Sequence, residues 1–177
     1  MDSVIIKDKT FRPFITAEEI EKRVAAIGEQ LTKDFEGKNP LFIAILNGSY
    51  VFAADLLRHV NLPCEICFIR VSSYSGMEST GTLTQVIGLK EDIKDRHVVI
   101  VEDIIDSGFT MEGLVQSLSE KEPADLRIAT LLTKPGNMKV DLKVDYCAFE
   151  IPNDFIVGYG LDYDGQGRNL PAIYVVE

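Results

Sequence analysis

The chain of 177 residues is 46% hydrophobic and 26% charged, a composition typical of one globular domain with a sizeable core. Its 18 Lys and Arg against 28 Asp and Glu give a formal charge of −10, which argues against binding to duplex nucleic acid or an anionic membrane. The N-terminus lacks a basic stretch followed by an apolar one, and no apolar run approaches the ~20 residues of a membrane helix. We therefore expect a cytoplasmic protein.

Helix and strand signals alternate along the chain. Thr16 and Glu19 form a capping-box pattern, and apolar residues at helical spacing from Ile20 to Phe35 predict an amphipathic helix. The run LFIAIL (41–46) shows no polar alternation, which indicates a strand covered on both faces. Further helices are predicted at 50–60 and 110–121, and further strands at 64–71, 84–88, 97–102, 126–133 and 144–150, before the closing runs FIVGYG and AIYVV.

This alternation predicts an α/β fold with a mostly parallel sheet, in a single domain spanning residues 1–177. In such sheets, ligands bind beyond the carboxyl ends of the strands. The residues that follow each predicted strand are therefore the candidates for a functional site. Residues 1–40 carry no recognisable chemistry.

The three cysteines are Cys64, Cys67 and Cys147. The first two have the spacing of half a zinc site, but no second pair follows, and an odd separation in a strand directs their side chains to opposite faces. We interpret all three as reduced structural cysteines.

The stretch VVIVEDIIDSGFTM (98–111) carries the strongest functional signal. An apolar strand meets Glu102 and Asp103, then Asp106, and small hydroxyl residues surround a glycine where a helix begins. Backbone amides at a helix start favour a phosphate, whereas carboxylates accept hydrogen bonds from sugar hydroxyls. We predict that the amides of residues 106–110, with the Ser107 and Thr110 hydroxyls, seat a 5′-phosphate while the acid pair holds a ribose.

Competing motifs fit less well. A phosphate-binding P-loop requires a lysine after its last glycine, and none follows Gly108. A phospho-receiver domain places its acid pair after its first strand, whereas about a hundred residues precede Glu102 here. The alternative to a binding site is a polar strand end whose acidic side chains are simply solvated.

With RVSSYSG, LLTKP and FEIPNDFIVGYGLDYDGQGRNLP, this stretch closely resembles the hypoxanthine-guanine phosphoribosyltransferases, of the type I phosphoribosyltransferase family. The similarity runs from LFIAIL to the C-terminus. It implies a twisted, helix-flanked sheet with a small base-binding hood, built from the C-terminal segment and possibly the N-terminus. It also implies Mg²⁺ as cofactor, 5-phosphoribosyl 1-diphosphate and a 6-oxopurine as substrates, and a homodimer or homotetramer.

The resemblance implies a role for each matching residue. Asp106 would be the general acid/base at purine N7, and Lys134 would donate to the exocyclic O6. Phe155 would stack on the purine while the Ile156 backbone reads its edge. The remaining residues would contact other parts of the substrates or close the site. They would bind the ribose (Glu102, Asp103), the 5′-phosphate (Ser107, Gly108, Phe109, Thr110), the pyrophosphate (Asn47, Gly48, Arg168), and both Mg²⁺ and the ring edge near C2 (Asp162), or form the closing lid (Ser73, Tyr74).

Taken singly, several of these residues have plainer interpretations. Phe155 fits a core residue, Lys134 a solvated side chain and Asp162 a turn residue; only their joint occurrence favours the functional interpretation. The polar segment 72–83 is long for a connection, which is typical of a lid over a binding site but also of a disordered loop.

Two positions depart from the family pattern. Asn47 and Phe109 stand where many relatives carry lysine, so cations against the leaving group and the 5′-phosphate are missing. The family also implies a cis peptide between residues 46 and 47. Two alternatives to purine salvage stay open: a nucleotide-sensing regulator that binds RNA or DNA, disfavoured by the charge of −10, and a xanthine-preferring enzyme of the same chemistry.

Overall fold

The structure, a computed structural model, describes residues 2–75 and 82–177, with the backbone alone for residues 72–75 and 82–86. Strands and helices follow each other in a six-stranded sheet and a four-stranded sheet. The strands are β1 (Val4–Ile6), β2 (Lys9–Ile15), β3 (Leu41–Ile45), β4 (Glu65–Ser75), β5 (Thr82–Ile87), β6 (His97–Ile105), β7 (Asp125–Thr133), β8 (Tyr146–Glu150), β9 (Ile156–Val157) and β10 (Ile173–Val176). The helices are α1 (Ala17–Asp34), α2 (Tyr50–Arg58), α3 (Phe109–Ser119) and a short 3₁₀ turn, Pro135–Asn137.

The six-stranded sheet has the order β5-β4-β3-β6-β7-β8. Its neighbours are parallel except for β4 and β5, which pair antiparallel. Every residue of β3 is buried, as expected for a strand covered on both faces. The predicted α/β fold with a mostly parallel, helix-flanked sheet is confirmed.

Helices α1 and α2 cover one face of this sheet, and α3 covers the other. The capping box of α1 is present as predicted: the Thr16 hydroxyl accepts from the Glu19 amide, and the Glu19 carboxylate accepts from the Thr16 amide. Ile20, Val24 and Leu31 form the buried stripe of α1. The helices therefore arise from the periodicity seen in the sequence.

The smaller sheet joins the two ends of the chain, in the order β1-β2-β10-β9 with antiparallel pairing. A separate apolar cluster, containing the fully buried Phe11, lies beneath it. We call this sheet, with residues 152–155 before β9 and the turns between β9 and β10, the hood. No local pattern in the sequence predicts that residues 4–15 form strands.

Several predicted boundaries were wrong. Strand β6 does not end at residue 102, as predicted, but continues to Ile105, because its pairing with β7 extends to that residue. The segment 72–83 is not a loop throughout: residues 72–75 extend β4, and 82–83 begin β5. The remaining residues of that predicted lid, 76–81, lie outside the described residues. None of the helices within the described residues combines the length and the apolar composition that a membrane span requires.

Candidate active site

The acid pair lies where β6 loses one of its two neighbours. Strand β3 pairs with β6 only as far as Val101, whereas β7 stays paired to Ile105. One edge of β6 is therefore open beside Glu102 and Asp103. There the Glu102 carboxylate accepts from the Asp103 amide (3.0 Å), and the Asp103 carboxylate accepts from the Ile104 amide (2.9 Å).

The Glu102 and Asp103 carboxylates lie next to each other. Burial raises the pKa of Glu102 well above its usual range, and the adjacent Asp103 carboxylate raises it further. Two partly buried acids side by side are costly without a ligand that donates to them. Their geometry therefore suits a group rich in hydroxyl donors.

A cavity of about 130 Å³ opens next to the acid pair. Gly108 caps α3 with a left-handed backbone (φ 88°), a conformation that glycine adopts without steric cost. The first N–H groups of a helix have no partner within it, so they are available to an anion in this cavity. The cavity is lined by Glu102, Ile104, Ile105, Asp106, Ser107, Gly108, Thr110 and Met111.

The structure brings Ser107, Gly108 and Thr110 to this cavity but not Phe109. That side chain is 49% exposed at the start of α3 and does not line the cavity. An exposed phenylalanine supplies no positive charge, so any cation for the anion must come from elsewhere.

Asp106 and Lys134 form an ion pair across the ends of β6 and β7. Lys134 Nζ lies 3.1 Å from Asp106 Oδ2, and the lysine is 8% exposed. Asn137 Nδ2 donates to the other oxygen, Oδ1. Partial burial acts to raise the pKa of Asp106, but the hydrogen bonds from Asn137 and Lys134 outweigh it, so the pKa lies below its usual value.

The hood reaches Lys134 through Asn153, whose Oδ1 lies 3.5 Å from Lys134 Nζ. Two residues further on, the Phe155 ring is 45% exposed and is held from behind by Phe11 and Tyr163, at centroid distances of 6.1 and 5.6 Å. Phe155 is thus not a core residue. An exposed, supported ring near a buried cation can stack on a flat ligand. Ile156 is buried in β9.

The loop after β3 lies between the acid pair and the hood. There is no room for a side chain at Gly48, because a Cβ there would overlap the Asp103 carboxylate, and a Cβ at Gly160 would overlap the Gly48 carbonyl. The Ser49 hydroxyl donates to the Ile45 carbonyl (2.6 Å), and Arg70 donates to Asn47 Oδ1 (3.2 Å). The Leu46–Asn47 peptide is cis, which confirms the expectation drawn from the resemblance.

Asp162 and Arg168 are joined in the hood. Arg168 Nη2 lies 2.7 Å from Asp162 Oδ1, and Arg168 Nη1 donates to the Gly160 carbonyl (2.6 Å). The second Asp162 oxygen accepts from the Gly165 amide (2.6 Å). Through Gly160, this pair is fixed against the Gly48 loop, so the predicted pyrophosphate residues occupy one neighbourhood.

Ser73 and Tyr74 lie on β4, opposite Thr84 and Leu83 of β5. Their side chains are outside the described part of the chain. Their predicted role in closing the site stays a prediction.

Comparison with known proteins agrees with this arrangement. The Phosphoribosyl transferase domain family matches residues 15–164. The hypoxanthine-guanine phosphoribosyltransferase of Streptococcus pneumoniae strain R6 is 46% identical over 164 residues, covering 92% of this chain and 91% of that protein. The chain belongs to the hypoxanthine-guanine phosphoribosyltransferase family.

Two further relatives extend this similarity over the whole chain and to the fold. The hypoxanthine-guanine-xanthine phosphoribosyltransferase of Tritrichomonas foetus is 40% identical over 178 residues, covering 100% of this chain and 97% of that protein. The crystal structure of a hypoxanthine-guanine phosphoribosyltransferase from Bacillus anthracis superposes with a TM-score of 0.83 at 42% identity, covering 94% of this chain and 96% of that one. The six-stranded sheet and its helices are thus the phosphoribosyltransferase fold.

Three residues that the sequence did not mark also contact residues of the candidate site. They are Asn137 beside Asp106, Arg70 beside Asn47 and Gly160 beside Gly48. The glycine pattern Gly158-Tyr159-Gly160 was the only visible signal, since two glycines one residue apart indicate a tight turn. Asn137 and Arg70 act through contacts between segments distant in sequence, which no local pattern reports.

Proposed function

We propose that the protein transfers the 5-phosphoribosyl group from 5-phosphoribosyl 1-diphosphate to N9 of hypoxanthine or guanine, giving IMP or GMP and pyrophosphate. The observation that carries this proposal is the pairing of Lys134 with Asp106, 3.1 Å apart. A 6-oxopurine presents O6 and N7 side by side on one edge. A donor for O6 next to a carboxylate for the N7 proton is complementary to that edge, whereas the 6-amino group of adenine would meet the ammonium with another donor.

The remaining groups orient the sugar and the leaving group. Glu102 and Asp103 accept from the ribose hydroxyls, and the start of α3 seats the 5′-phosphate in the cavity of about 130 Å³. Gly48 and Arg168 lie against the diphosphate. This arrangement holds C1′ in front of the purine, which Phe155 stacks against.

In the reaction, a bond forms between N9 and C1′ while the bond between C1′ and the diphosphate oxygen breaks. Pyrophosphate leaves with the electron pair, and the proton on N7 passes to Asp106. Hydrogen bonds from Asn137 and Lys134 lower the pKa of Asp106, so its carboxylate is ionised at neutral pH and ready to accept that proton.

Mg²⁺ fits this site as an ion shared with the substrate. In the part of the chain that the structure describes, no group of three or more His, Cys, Asp or Glu side chains could hold a metal. Mg²⁺ commonly binds through one or two carboxylates together with phosphate oxygens, and Asp162 beside Arg168 offers one such carboxylate. The ion would neutralise charge on the diphosphate.

The test is a steady-state assay of pyrophosphate release with Mg²⁺ and each purine in turn. Hypoxanthine or guanine should support turnover, and adenine should not. Turnover with adenine, or none with any 6-oxopurine, would contradict the proposal. Xanthine is included because the Tritrichomonas foetus relative is named for it.

We also propose a homo-oligomer, dimeric or tetrameric. Three apolar side chains support this: Ile66, Phe68 and Ile87 are exposed at 38, 45 and 50%. Light scattering coupled to size exclusion measures the mass directly, and a monomeric mass of 19.7 kDa would contradict it.

A further inference from the structure

The segment that follows β7 lies against the loop that follows β6. We call residues Lys134–Val140 the bridge segment. Its Lys134 amide donates to the Ile105 carbonyl (3.0 Å), and its Lys139 amide donates to the Ser107 carbonyl (2.9 Å). These two bonds lie on either side of Asp106, so the bridge segment fixes the backbone that carries this carboxylate.

Side-chain packing strengthens the same contact. A Cβ placed on Gly108 would lie 2.6 Å from Val140 Cγ2 and 2.7 Å from Met138 Sδ, so the bridge segment packs directly on the start of α3. The phosphate-binding loop and the purine-binding lysine are therefore parts of one packed unit.

The Asp106 carboxylate is held at both oxygens by this segment. Asn137 Nδ2 donates to Oδ1, and Lys134 Nζ donates to Oδ2 at 3.1 Å. Two donors at opposite oxygens fix the rotation of the carboxylate as well as its position. Asn137 is half-buried in the 3₁₀ turn, which limits its own freedom to move.

The two donors, Lys134 and Asn137, differ in whether they also have other partners. Lys134 is shared, since its ammonium also faces Asn153 and is proposed to bind the purine O6. Asn137 has no such second partner among the hydrogen bonds of the described residues. When the purine draws the lysine toward O6, the hydrogen bond from Asn137 is the one that stays.

We propose that Asn137 is a positioning residue, which keeps the Asp106 carboxylate ionised and directed at purine N7 throughout the reaction. This inference rests on the proposed function for the role of Asp106, but the contact itself is a property of the free protein. It adds to the proposed function a side chain that touches no substrate.

The groups that face Asp106 determine the sign of the pH effect. Lys134, from the end of β7, is the positive one, and Glu102 shares the cavity on β6. Asn137 is neutral and acts only as a donor to the ionised form. Removing that donor leaves burial to raise the pKa of Asp106 with less opposition. The acid limb of the pH profile, below which Asp106 is protonated and inactive as a base, should move to higher pH.

The experiment compares Asn137→Ala, Asn137→Asp and Gly136→Ala. Gly136 is the matched control, since it lies in the same 3₁₀ turn and a Cβ there would meet nothing within 4 Å. Asn137→Ala should lower kcat about ten-fold near neutral pH, leave the KM for the diphosphate substrate within about two-fold, and shift the acid limb upward. Asn137→Asp keeps the side-chain shape but places a second carboxylate against Asp106. Its acid limb should therefore shift further upward than that of Asn137→Ala.

A carboxyl ¹³C titration of Asp106 in the free protein supplies a readout that does not depend on turnover. The signal is assigned by its loss in Asp106→Asn, and thermal melts check that each variant folds. A higher pKa in Asn137→Ala or Asn137→Asp, with Gly136→Ala unchanged, supports the inference. If the Asp106 titration curves of the wild type and both Asn137 variants are superimposable, the inference about Asn137 is overturned, even if the wild type is fully active. An inactive wild-type enzyme would contradict the proposed function but not this inference.

Discussion

The proposed role of Asp106 as a general acid/base can be tested directly by mutation. Replacement by Asn preserves its shape and its bond to Lys134 but removes the base. We expect kcat to fall by about 100-fold or more, because general acid–base groups typically contribute 10²–10⁴-fold. Calorimetric binding of the diphosphate substrate should be nearly unchanged, since the amides proposed to seat the phosphate are intact. Near-normal turnover would reject the acid/base role.

Lys134 is predicted to act on the purine and not on the sugar phosphate. Lys134→Gln removes the charge that faces O6, so kcat/KM for hypoxanthine should fall about 10- to 100-fold. The KM for the diphosphate substrate should stay within about two-fold. Both constants are measured in the same steady-state assay, and an equal loss of both would show that Lys134 has another role.

Glu102 links function to stability. Because burial and Asp103 raise its pKa in the folded state, the folded protein binds more protons than the unfolded one above pH ~4.5. The contribution of Glu102 to the free energy of unfolding therefore falls as the pH rises through the pKa that this side chain has in the folded protein. Glu102→Gln cannot ionise, so its melting temperature should exceed that of the wild type more at pH 8 than at pH 5. A difference that is equal at both pH values would contradict the raised pKa.

At the scale of elements, the site depends on where strands end relative to their neighbours. The sequence identified the strands of the six-stranded sheet from their apolar runs and α1 from its capping box, because these signals are local. It placed the end of β6 too early, since Glu102 and Asp103 look like a strand terminus. Their strand geometry is imposed by β7, whose Thr130 lies opposite Glu102. Neighbouring strands thus override local preference at the site itself.

The loop between β3 and α2 leaves little space for a larger side chain. Gly48 is enclosed by the Asp103 carboxylate on one side and Gly160 on the other. Gly48→Ala should displace the loop and raise the KM for the diphosphate substrate by about ten-fold, with the KM for hypoxanthine little changed.

Gly136→Ala is the matched glycine control for this variant, because its Cβ would enter open space. Steady-state assays on both proteins provide the comparison. Equal constants for Gly48→Ala and the wild type would mean that the loop does not contact the leaving group.

Over the whole molecule, the hood was the part that the sequence described least well. Residues 4–15 contain no apolar run longer than three residues, and β2 pairs with a strand at the other end of the chain, with Phe11 opposite Val176. Pairing across the full length of a chain leaves no local trace. The same holds for Asn137, whose role depends on how the bridge segment folds back. The motif residues, by contrast, were identifiable because they are contiguous on β6 and α3.

The hood is joined to the large sheet through apolar residues such as Ile15, Ile156 and Ile173, which pack in the same cluster as α1 and α2, whereas Phe11 belongs to a separate cluster. Tyr159 donates to Asp55 on α2 (2.7 Å), Gly160 lies against Gly48, and Asn153 reaches Lys134. The loop between β6 and α3, which we propose seats the 5′-phosphate, belongs to the large sheet alone. Disturbing the hood core should therefore affect the purine and the sugar phosphate differently.

Phe11→Ala tests this separation. Phe11 is fully buried under the hood and supports the Phe155 ring, so its loss should cost about 3–5 kcal/mol of stability in the hood and raise the KM for hypoxanthine. The affinity for the diphosphate substrate should change by less than about two-fold, since α3 and β6 are packed elsewhere. Val24→Ala is the control, because Val24 is equally buried but lies on α1 against the large sheet. If Val24→Ala raised the KM for hypoxanthine as much as Phe11→Ala does, the effect would reflect general destabilisation and not a hood that binds the base.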